Sequence, residues 1–148
     1  MKSLHLAAEE DADKLLPLVA AFHAERGYDS DLDHVANAVA PILAGSPHGA
    51  IWLIGPRRAP VGYICITFGW SLEFGGLDAI VDELYIRPAV RKRGMGFDAL
   101  SGIAKAMKDA GVKALHLEAD RSDDRLIGFY RRARFAPRED YMYMSRML

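Results

Sequence analysis

The first third of the chain combines one strand pattern with two helix patterns. Residues 4–6 read as a short strand, after which apolar residues recur at helical spacing in two stretches. Pro17 lies in the first stretch and is expected to kink that helix or to mark its first turn. Ser30, with Asp33 three residues later, resembles a capping box and predicts the start of the second helix.

The middle of the chain is predicted to form strands. Residues 48–54 and 61–70 are rich in β-branched and aromatic side chains, and the GPRRAP segment between them has the composition of a turn, which predicts a hairpin. A third apolar run, 78–87, carries two acids at its centre. The connection over 69–76 is glycine-rich and aromatic and is longer than a hairpin needs, so we expect a loop that carries specificity.

The last third returns to alternating helices and strands. Residues 95–110 have one apolar and one polar face, and Gly111 follows as a C-terminal cap. A strand over 114–119, a short helix over 124–133 and a final strand over 141–147 complete the pattern. The final strand is apolar on both faces, so we expect both faces to be covered, for which a homodimer is one route.

The order β-α-α-β-β-β-α-β-α-β predicts an α+β fold, with a central mixed and twisted sheet flanked by helices. The helical connection between 78–87 and 114–119 predicts that these two strands are parallel neighbours. No internal repeat or long linker divides the sequence, so we expect a single domain over 1–148.

Composition narrows the classes of function. A net charge of -1 argues against nucleic-acid binding by bulk electrostatics. The sequence has no apolar run of about 18 residues that would span a membrane. Its first residues are too acidic for a signal peptide, so a cytoplasmic location is expected. Cys65 is the single cysteine and the histidines lack metal-ligand spacing, so we expect neither an internal disulfide nor a metal.

The strongest chemical signal is the segment Pro88–Gly96, which joins a predicted strand to the clearest helix. It contains three basic residues and two glycines. The free N–H groups and the dipole at a helix N-terminus favour an anion, and glycine lets the backbone approach it. No Gly-Lys-Ser/Thr follows, so the segment is not a P-loop. It also comes too late in the chain, and lacks the third glycine, for a dinucleotide-binding fingerprint.

The sequence LYIRPAVRKRGMGFDAL (84–100) resembles motif A of the GNAT acetyltransferases, in which Leu-x-Val/Ile-x-Pro precedes Arg/Gln-x-x-Gly-x-Gly/Ala and a long helix. The resemblance implies acetyl-CoA as co-substrate, with loop amides on the pyrophosphate and strand backbone on the pantetheine arm. The residues that it assigns to coenzyme A are Leu84, Tyr85, Ile86, Arg91, Lys92, Arg93, Gly94, Met95 and Gly96.

A second stretch, DDRLIGFYRRARF (123–135), resembles motif B of the same family. The resemblance implies that Tyr130 donates a proton to the departing thiolate and adds Asp123 to the residues at the coenzyme. Leu126 and Arg134 stand where the family usually has alanine and glycine, so the tight turn after the helix would be made by a non-glycine residue.

The resemblance further implies direct transfer of the acetyl group to an amine, which must first lose a proton. Asp82 and Glu83 are the candidate bases, and we favour Glu83. Consecutive strand residues face opposite sides, so only one of them reaches the cleft unless a bulge intervenes, as GNAT sheets usually have. The acids Glu73, Asp78, Asp82 and Glu83 together favour a small cationic amine or amino-acid-like acceptor.

Two segments supply candidate contacts to the acceptor. They are the glycine-rich connection and the stretch between the first two helices, and their candidate residues are Trp70, Ser71, Glu73, Phe74, His23, Glu25 and Tyr28. Neither nucleic acid nor a membrane is expected as a partner.

Three alternatives stay open. The chain could be a non-catalytic coenzyme A sensor on the same fold, or a protein N-terminal or lysine acetyltransferase. It could also be a nucleotide-binding module that uses only the segment Pro88–Gly96, called the glycine loop below. An acyl group other than acetyl also stays open. A fold by itself does not choose among them.

Overall fold

The computed structural model describes residues 3–148. The chain divides into two compact units, one ending at Glu118 and the other spanning Ala119–Leu148, and each is described by itself. The first unit contains every described strand and three of the four described α-helices. In chain order its elements are β1 Leu4–Leu6, α1 Ala12–Arg26, α2 Leu32–Leu43, β2 Gly49–Ile54, β3 Gly62–Ser71, β4 Gly76–Ile86, α3 Met95–Asp109 and β5 Ala114–Leu117.

The five strands form one sheet in the order β1-β2-β3-β4-β5. The first four strands are antiparallel to their neighbours, which confirms the β2–β3 hairpin. β4 and β5 are parallel, as a connection through α3 requires. The mixed sheet with flanking helices confirms the predicted α+β class.

Apolar residues on both faces of the sheet are buried. On one face, Tyr63 and Tyr85 join Leu15, Leu18 and Val35 of α1 and α2 in a continuous core, so we call it the α1–α2 face. Alternation along the strands turns their remaining apolar residues toward α3. The buried residues of that α3 face include Ile64, Ile66, Val81, Ala99, Leu100 and Ile103.

A β-bulge interrupts β4 at Asp82. Cys65 of β3 pairs with Glu83, but the next residue, Ile66, pairs with Val81, so Asp82 is the extra residue. Without it, Val81 and Glu83 would share a face. With it, Val81 points toward α3 and Glu83 lies on the α1–α2 face. The bulge therefore resets the alternation halfway along the strand.

Several local expectations are corrected. The N-cap of α2 is Asp31 rather than Ser30, because the Asp31 carboxylate accepts from the N–H of His34 at 2.8 Å. Pro17 lies inside α1, so it does not mark the first turn, and the kink stays a prediction. The connection expected over 69–76 shrinks to the four residues between β3 and β4, because both strands extend further than their hydrophobic runs indicate.

The second unit contains α4, Asp124–Arg132, which the carboxylate of Asp123 caps by accepting from the N–H of Leu126 at 3.0 Å. Arg134 follows in the left-handed conformation with φ 71°, so a non-glycine residue does make the turn after this helix. The strand expected over 141–147 is absent, since no described residue after α4 belongs to a strand. A strand needs a neighbour for its backbone N–H and C=O groups, and the second unit contains no other described strand.

Between Ser3 and Leu148, no helix combines the length and the apolar character that crossing a membrane requires.

Candidate active site

A hydrogen-bonded chain of four side chains lies beside the bulge on the α1–α2 face. Nε2 of His23 is 2.7 Å from Oε2 of Glu83, and the Tyr63 hydroxyl donates to Oε1 of the same carboxylate at 2.7 Å. Nδ1 of His23 is 3.1 Å from Oγ of Ser30. Both oxygens of Glu83 therefore have a partner, and the chain joins α1, β3, β4 and the connection between α1 and α2.

The direction of these hydrogen bonds follows from their chemistry. An ionised carboxylate only accepts, so His23 donates through Nε2, and in a neutral ring Nδ1 then accepts from the Ser30 hydroxyl. Burial raises the pKa of Tyr63 and the charge of Glu83 raises it further, so the phenol stays protonated and donates. The ring of Tyr28 packs edge-on against His23 with centroids 5.1 Å apart. Glu83 is thus a positioned carboxylate.

Asp82 belongs to the same cluster because the bulge interrupts the alternation of side chains along β4. Regular alternation would have turned Asp82 away from the face that carries Glu83. Burial raises the pKa of the Asp82 carboxyl, and nearby His23 lowers it in part. The side chain still reaches solvent. A carboxylate with a raised pKa and access to solvent is suited to accept a proton and to release it afterwards.

Cys65 faces the same two acids from β3. Burial raises the pKa of its thiol to about 12, with further contributions from Asp82 and Glu83. The thiol is therefore protonated at neutral pH and is a poor nucleophile. Cys65 is half-buried and packs against the core of the α1–α2 face.

The loop between β4 and α3 is shaped to present backbone N–H groups. Lys92 and Gly94 both have left-handed backbones, with φ 67° and 82°. Gly94 is the N-cap of α3, and no side chain caps the helix. The first N–H groups of a helix have no partner within it, so those of Met95 and Gly96 face outward. Lys92, Arg93 and Gly94 are exposed, which leaves the helix N-terminus open to an anion.

Arg91, at the first position of the motif, contacts three other residues of the protein. Its Nε donates to the carbonyl of Ile86 at 2.7 Å, and its guanidinium donates to Oε2 of Glu25 at 2.7 Å. The guanidinium also lies over the ring of Tyr85, 5.5 Å from its centroid. Arg91 therefore ties the loop to the end of β4 and to α1, and Glu25 is occupied by this contact.

The hairpin end of the sheet is remote from the cluster. Trp70 pairs with Leu77, six residues before Glu83, which places it about 20 Å away along the strand at ~3.3 Å per residue. Ser71 accepts through Oγ from the N–H of Phe74 at 3.0 Å and so stabilises the turn. Glu73 is exposed within that turn. The structure brings His23 and Tyr28 together with the two acids, and does not bring Trp70, Ser71 or Glu73 there.

Tyr130 and Asp123 lie in the second unit. Tyr130 is on α4, with its ring 5.3 Å from that of Phe129 and 6.0 Å from that of Phe135. Asp123 is committed to the helix cap through Leu126. The roles of both residues at the coenzyme stay predictions.

Sequence reasoning misses two residues of the cluster. Tyr63 sits in an apolar strand and reads as core, and the usable signal is that a buried phenol needs a partner. Ser30 reads as a helix cap. Within the part of the chain that the structure describes, no group of three or more His, Cys, Asp or Glu side chains could hold a metal ion.

Comparison with known families decides the class of this site. The model of the Acetyltransferase (GNAT) family matches residues 12–135, which include the α1–α2 core, the bulged strand, the glycine loop and α4. The chain belongs to the GNAT acetyltransferase family. The resemblance to that family is thereby confirmed, and the cluster and the loop lie within the matched residues.

Solved structures agree with this membership. The GNAT chain is 33% identical to integron cassette protein HFX_CASS3, from the mobile metagenome of Cole Harbour Salt Marsh, with a TM-score of 0.86 over 99% of this chain and 90% of that one. It is 25% identical to a putative acetyltransferase from Arthrobacter sp. FB24, with a TM-score of 0.85 over 100% and 97%. The comparison with curated proteins found no match.

A more distant neighbour shares the fold alone. Aminoglycoside N-acetyltransferase AAC(6')-Iy, whose structure was determined in complex with CoA, is 9% identical, with a TM-score of 0.81 over 98% of this GNAT chain and 94% of that one.

Proposed function

We propose that this protein transfers the acetyl group of acetyl-CoA directly to the amine of a small cationic acceptor. The observation that carries the proposal is the bulge in β4, at which Asp82 lies close enough to His23, the partner of Glu83, for the two to interact electrostatically. The same strand leads into an open helix N-terminus. Family membership supports the donor half. The acidic cluster supports the acceptor half.

The donor site fits a diphosphate. Uncapped N–H groups at the start of α3 and the left-handed Gly94 would hold the pyrophosphate of acetyl-CoA, and the exposed Lys92 and Arg93 would add positive charge. Backbone groups of Leu84, Tyr85 and Ile86 are the proposed contacts of the pantetheine arm. Bound in this way, acetyl-CoA would supply the thioester from which the amine takes the acetyl group. Arg91 would act indirectly, by fixing the loop against Ile86 and Glu25.

We assign different tasks to the two acids. Glu83, held by Tyr63 and His23, keeps a fixed negative charge that attracts and orients the ammonium group of the acceptor. Asp82, with its raised pKa and exposed side chain, takes the proton that the amine must lose before it attacks. The acceptor would then be positioned chiefly by charge and by contact with the packed rings of His23 and Tyr28.

The class of acceptor follows from the negative charge of this cluster. Asp78 lies on the same face as Glu83 and extends the negative charge along β4. A cationic amine would be steered toward such a row, whereas an acidic acceptor would be repelled. The distant neighbour named for aminoglycosides is consistent with a polycationic acceptor on this fold.

The donor site is tested by thermal unfolding with acetyl-CoA, free coenzyme A, ATP and NADH in parallel. Acetyl-CoA at 100 times its dissociation constant should stabilise the protein by roughly 2.7 kcal/mol, and ATP and NADH should not. Gly94→Ala should weaken this response, because alanine at φ 82° strains the loop. Gly111→Ala, at φ 89° with the same open surroundings, is the matched control and should keep the response.

The acceptor half is tested by release of free thiol from acetyl-CoA with panels of amines. Turnover with di- and polyamines or aminoglycosides, and much slower turnover with acidic amino acids, would support the proposal. Stabilisation by acetyl-CoA without turnover for any amine or peptide would identify a coenzyme A sensor. Turnover of peptide N-termini or lysines alone would identify a protein acetyltransferase instead.

A further inference from the structure

Ser30, His23 and Glu83 form a hydrogen-bonded line in which the imidazole ring lies between a hydroxyl and a carboxylate. Oγ of Ser30 is 3.1 Å from Nδ1, and Oε2 of Glu83 is 2.7 Å from Nε2. A hydroxyl within hydrogen-bond reach of a base that a third group orients is the arrangement of an activated nucleophile. All three residues belong to the first unit. The proposed acetyl transfer gives the carboxylate and the ring a task but leaves the hydroxyl without one.

The backbone at the end of α1 holds Ser30 beside His23. Gly27 has a left-handed backbone with φ 73°, and the N–H of Tyr28 donates back to the carbonyl of His23 at 2.9 Å, which is the bond pattern of a Schellman motif. The N–H of Ser30 then donates to the carbonyl of Tyr28 at 3.0 Å. The hydroxyl and the ring are therefore positioned by main-chain hydrogen bonds as well as by their own contact.

The tautomer of His23 and the charge beside it suit a general base. Glu83 accepts from Nε2, and the Tyr63 hydroxyl holds the other oxygen of this carboxylate at 2.7 Å. Nδ1 of the neutral ring is then the acceptor that faces the Ser30 hydroxyl. When Nδ1 takes a proton, the adjacent carboxylate stabilises the imidazolium, as the acid of a catalytic triad does. His23 is therefore placed to remove the hydroxyl proton as Ser30 attacks.

Donors for a developing oxyanion begin directly after Ser30. α2 starts at Leu32 with Asp31 as its N-cap, and the N–H of His34 is taken by the Asp31 carboxylate. The N–H groups of Leu32 and Asp33 also lie in the first turn, where the helix itself supplies no partner. Backbone N–H groups at the positive end of a helix dipole stabilise negative charge that develops in a transition state.

We infer that Ser30 is an acylatable nucleophile through which the protein hydrolyses small uncharged carboxylic esters. Oγ of Ser30 forms a bond to the ester carbonyl carbon while its proton moves to Nδ1 of His23. The bond from that carbon to the alcohol oxygen then breaks, and the alcohol leaves with the proton from Nδ1. Water next attacks the acyl-serine and gives a proton to Nδ1. The Ser30 oxygen leaves, takes that proton back and releases the carboxylic acid.

An uncharged ester suits the surroundings of Ser30. The rings of Phe22 and Tyr28 lie 6.1 Å and 5.1 Å from that of His23, centroid to centroid, so aromatic surface borders the imidazole. The negative charge of Glu83 would repel an ester whose acyl group carries a carboxylate. The reaction needs neither coenzyme A nor an amine, so its test does not depend on the proposed acetyl transfer.

The first experiment is a burst assay with p-nitrophenyl acetate on the unmodified protein, without coenzyme A. We expect a burst of p-nitrophenol that approaches one equivalent per chain, followed by slower turnover, as an acyl-enzyme intermediate produces. Mass spectrometry after an acid quench should find one acetyl group, and peptide mapping should place it on Ser30. A fluorophosphonate should label the same residue. Acetyl groups on other side chains alone, or no adduct, would overturn the inference.

Matched serine variants show whether the hydroxyl is the group that reacts. Ser30→Ala and His23→Ala should each lower hydrolysis by about 10²-fold or more. Ser30→Cys keeps a nucleophile at the same place and should still be acylated. Ser46 is half-buried like Ser30, but its Oγ accepts from the backbone N–H of His48 at 3.2 Å, so Ser46→Ala is the control that should keep the burst. Circular dichroism checks that each variant is folded. If Ser30→Ala hydrolyses the ester as fast as the unmodified protein, an imidazole acts alone and the inference fails.

Discussion

Nε2 of His23 lies 2.7 Å from Oε2 of Glu83, although the two residues are separated by 60 positions in the sequence. Together with the Tyr63 hydroxyl on Oε1, this contact fixes the Glu83 carboxylate from two directions. Asp82, next to it on the bulge, has no such pair of fixed donors among the described residues. Glu83 is therefore held in place, whereas Asp82 is exposed and free to exchange a proton with solvent.

Asp82→Asn should reduce kcat at neutral pH by about 10²-fold or more, because the acceptor loses its base. The loss should shrink as the pH rises toward the pKa of the free amine, where the acceptor deprotonates unaided. Glu83→Gln should chiefly raise KM for the amine. Asp78→Asn, on the same face of β4, is the matched control and should have a smaller effect on KM and none on kcat. Steady-state kinetics from pH 6 to pH 10 measure all three, and equal losses for Asp82→Asn at both ends of the range would exclude the role of base.

His23→Ala should leave Glu83 with one partner fewer and loosen its position. We expect a rise in KM for the amine and a loss of about 1–3 kcal/mol in unfolding free energy, since a partly buried hydrogen-bonding group loses its partner. His23→Gln provides a neutral donor and should recover part of KM. Chemical denaturation and kinetics on the same preparations check this, and failure of Gln to improve on Ala would argue against a positioning role.

Tyr130→Phe should lower kcat by about 10²-fold while acetyl-CoA binding stays nearly intact, if Tyr130 donates the proton to the departing thiolate. Tyr141→Phe removes a hydroxyl from the same unit and should leave kcat unchanged. Stopped-flow measurement of thiol release, with a thermal shift for binding, separates the two effects. Unchanged turnover in Tyr130→Phe would remove the assignment.

Cys65 should resist alkylation in the folded protein. With a thiol pKa of about 12, only about 10⁻⁴ of the molecules carry a thiolate at pH 8. Iodoacetamide should therefore label the native chain far more slowly than the chain in denaturant. Since Asp82 and Glu83 contribute to the raised pKa, Asp82→Asn or Glu83→Gln should speed the labelling. Rapid stoichiometric labelling of the native protein would contradict the structure here.

Asp11 should make folding stability depend on acid pH. Its side chain is 2% exposed, and although burial opposes its charge, the N–H of Ala8 and the guanidinium of Arg57 bring its pKa below 3.8. A carboxyl whose pKa is depressed by folding stabilises the protein above the unfolded pKa and loses that effect as the pH falls. Asp11→Asn should cost about 1–3 kcal/mol at pH 7 and less at pH 3. Urea denaturation at both pH values measures this, with the exposed Asp109→Asn as a control of little effect.

The sequence is sufficient for features that depend on local pattern. The β2–β3 hairpin, the amphipathic α3 and its Gly111 cap follow from spacing and turn chemistry, and the glycine loop follows from its place between a strand and a helix. The acids at 82 and 83 are recognisable because charges stand out in an apolar strand. These are properties of short segments.

The features that sequence reasoning misses depend on residues that are distant in the sequence. Nothing local shows that His23 meets Glu83, or that the guanidinium of Arg91 donates to Glu25. The final strand is predicted because Tyr141–Met144 have strand-forming side chains, but a strand also requires a neighbour, which hydrophobic pattern does not reveal.

The bulge in β4 makes the two halves of that strand separable. Before Asp82, the even-numbered residues face the α1–α2 side, and after it the odd-numbered ones do. A substitution at Ile80, which is on the proposed acceptor side, therefore leaves the register of Leu84 and Ile86 at the proposed coenzyme strand untouched. Deletion of a single residue at the bulge would instead turn one half of the strand over. Acceptor preference can thus diverge by substitution while donor recognition stays fixed, whereas a change in strand length would damage both.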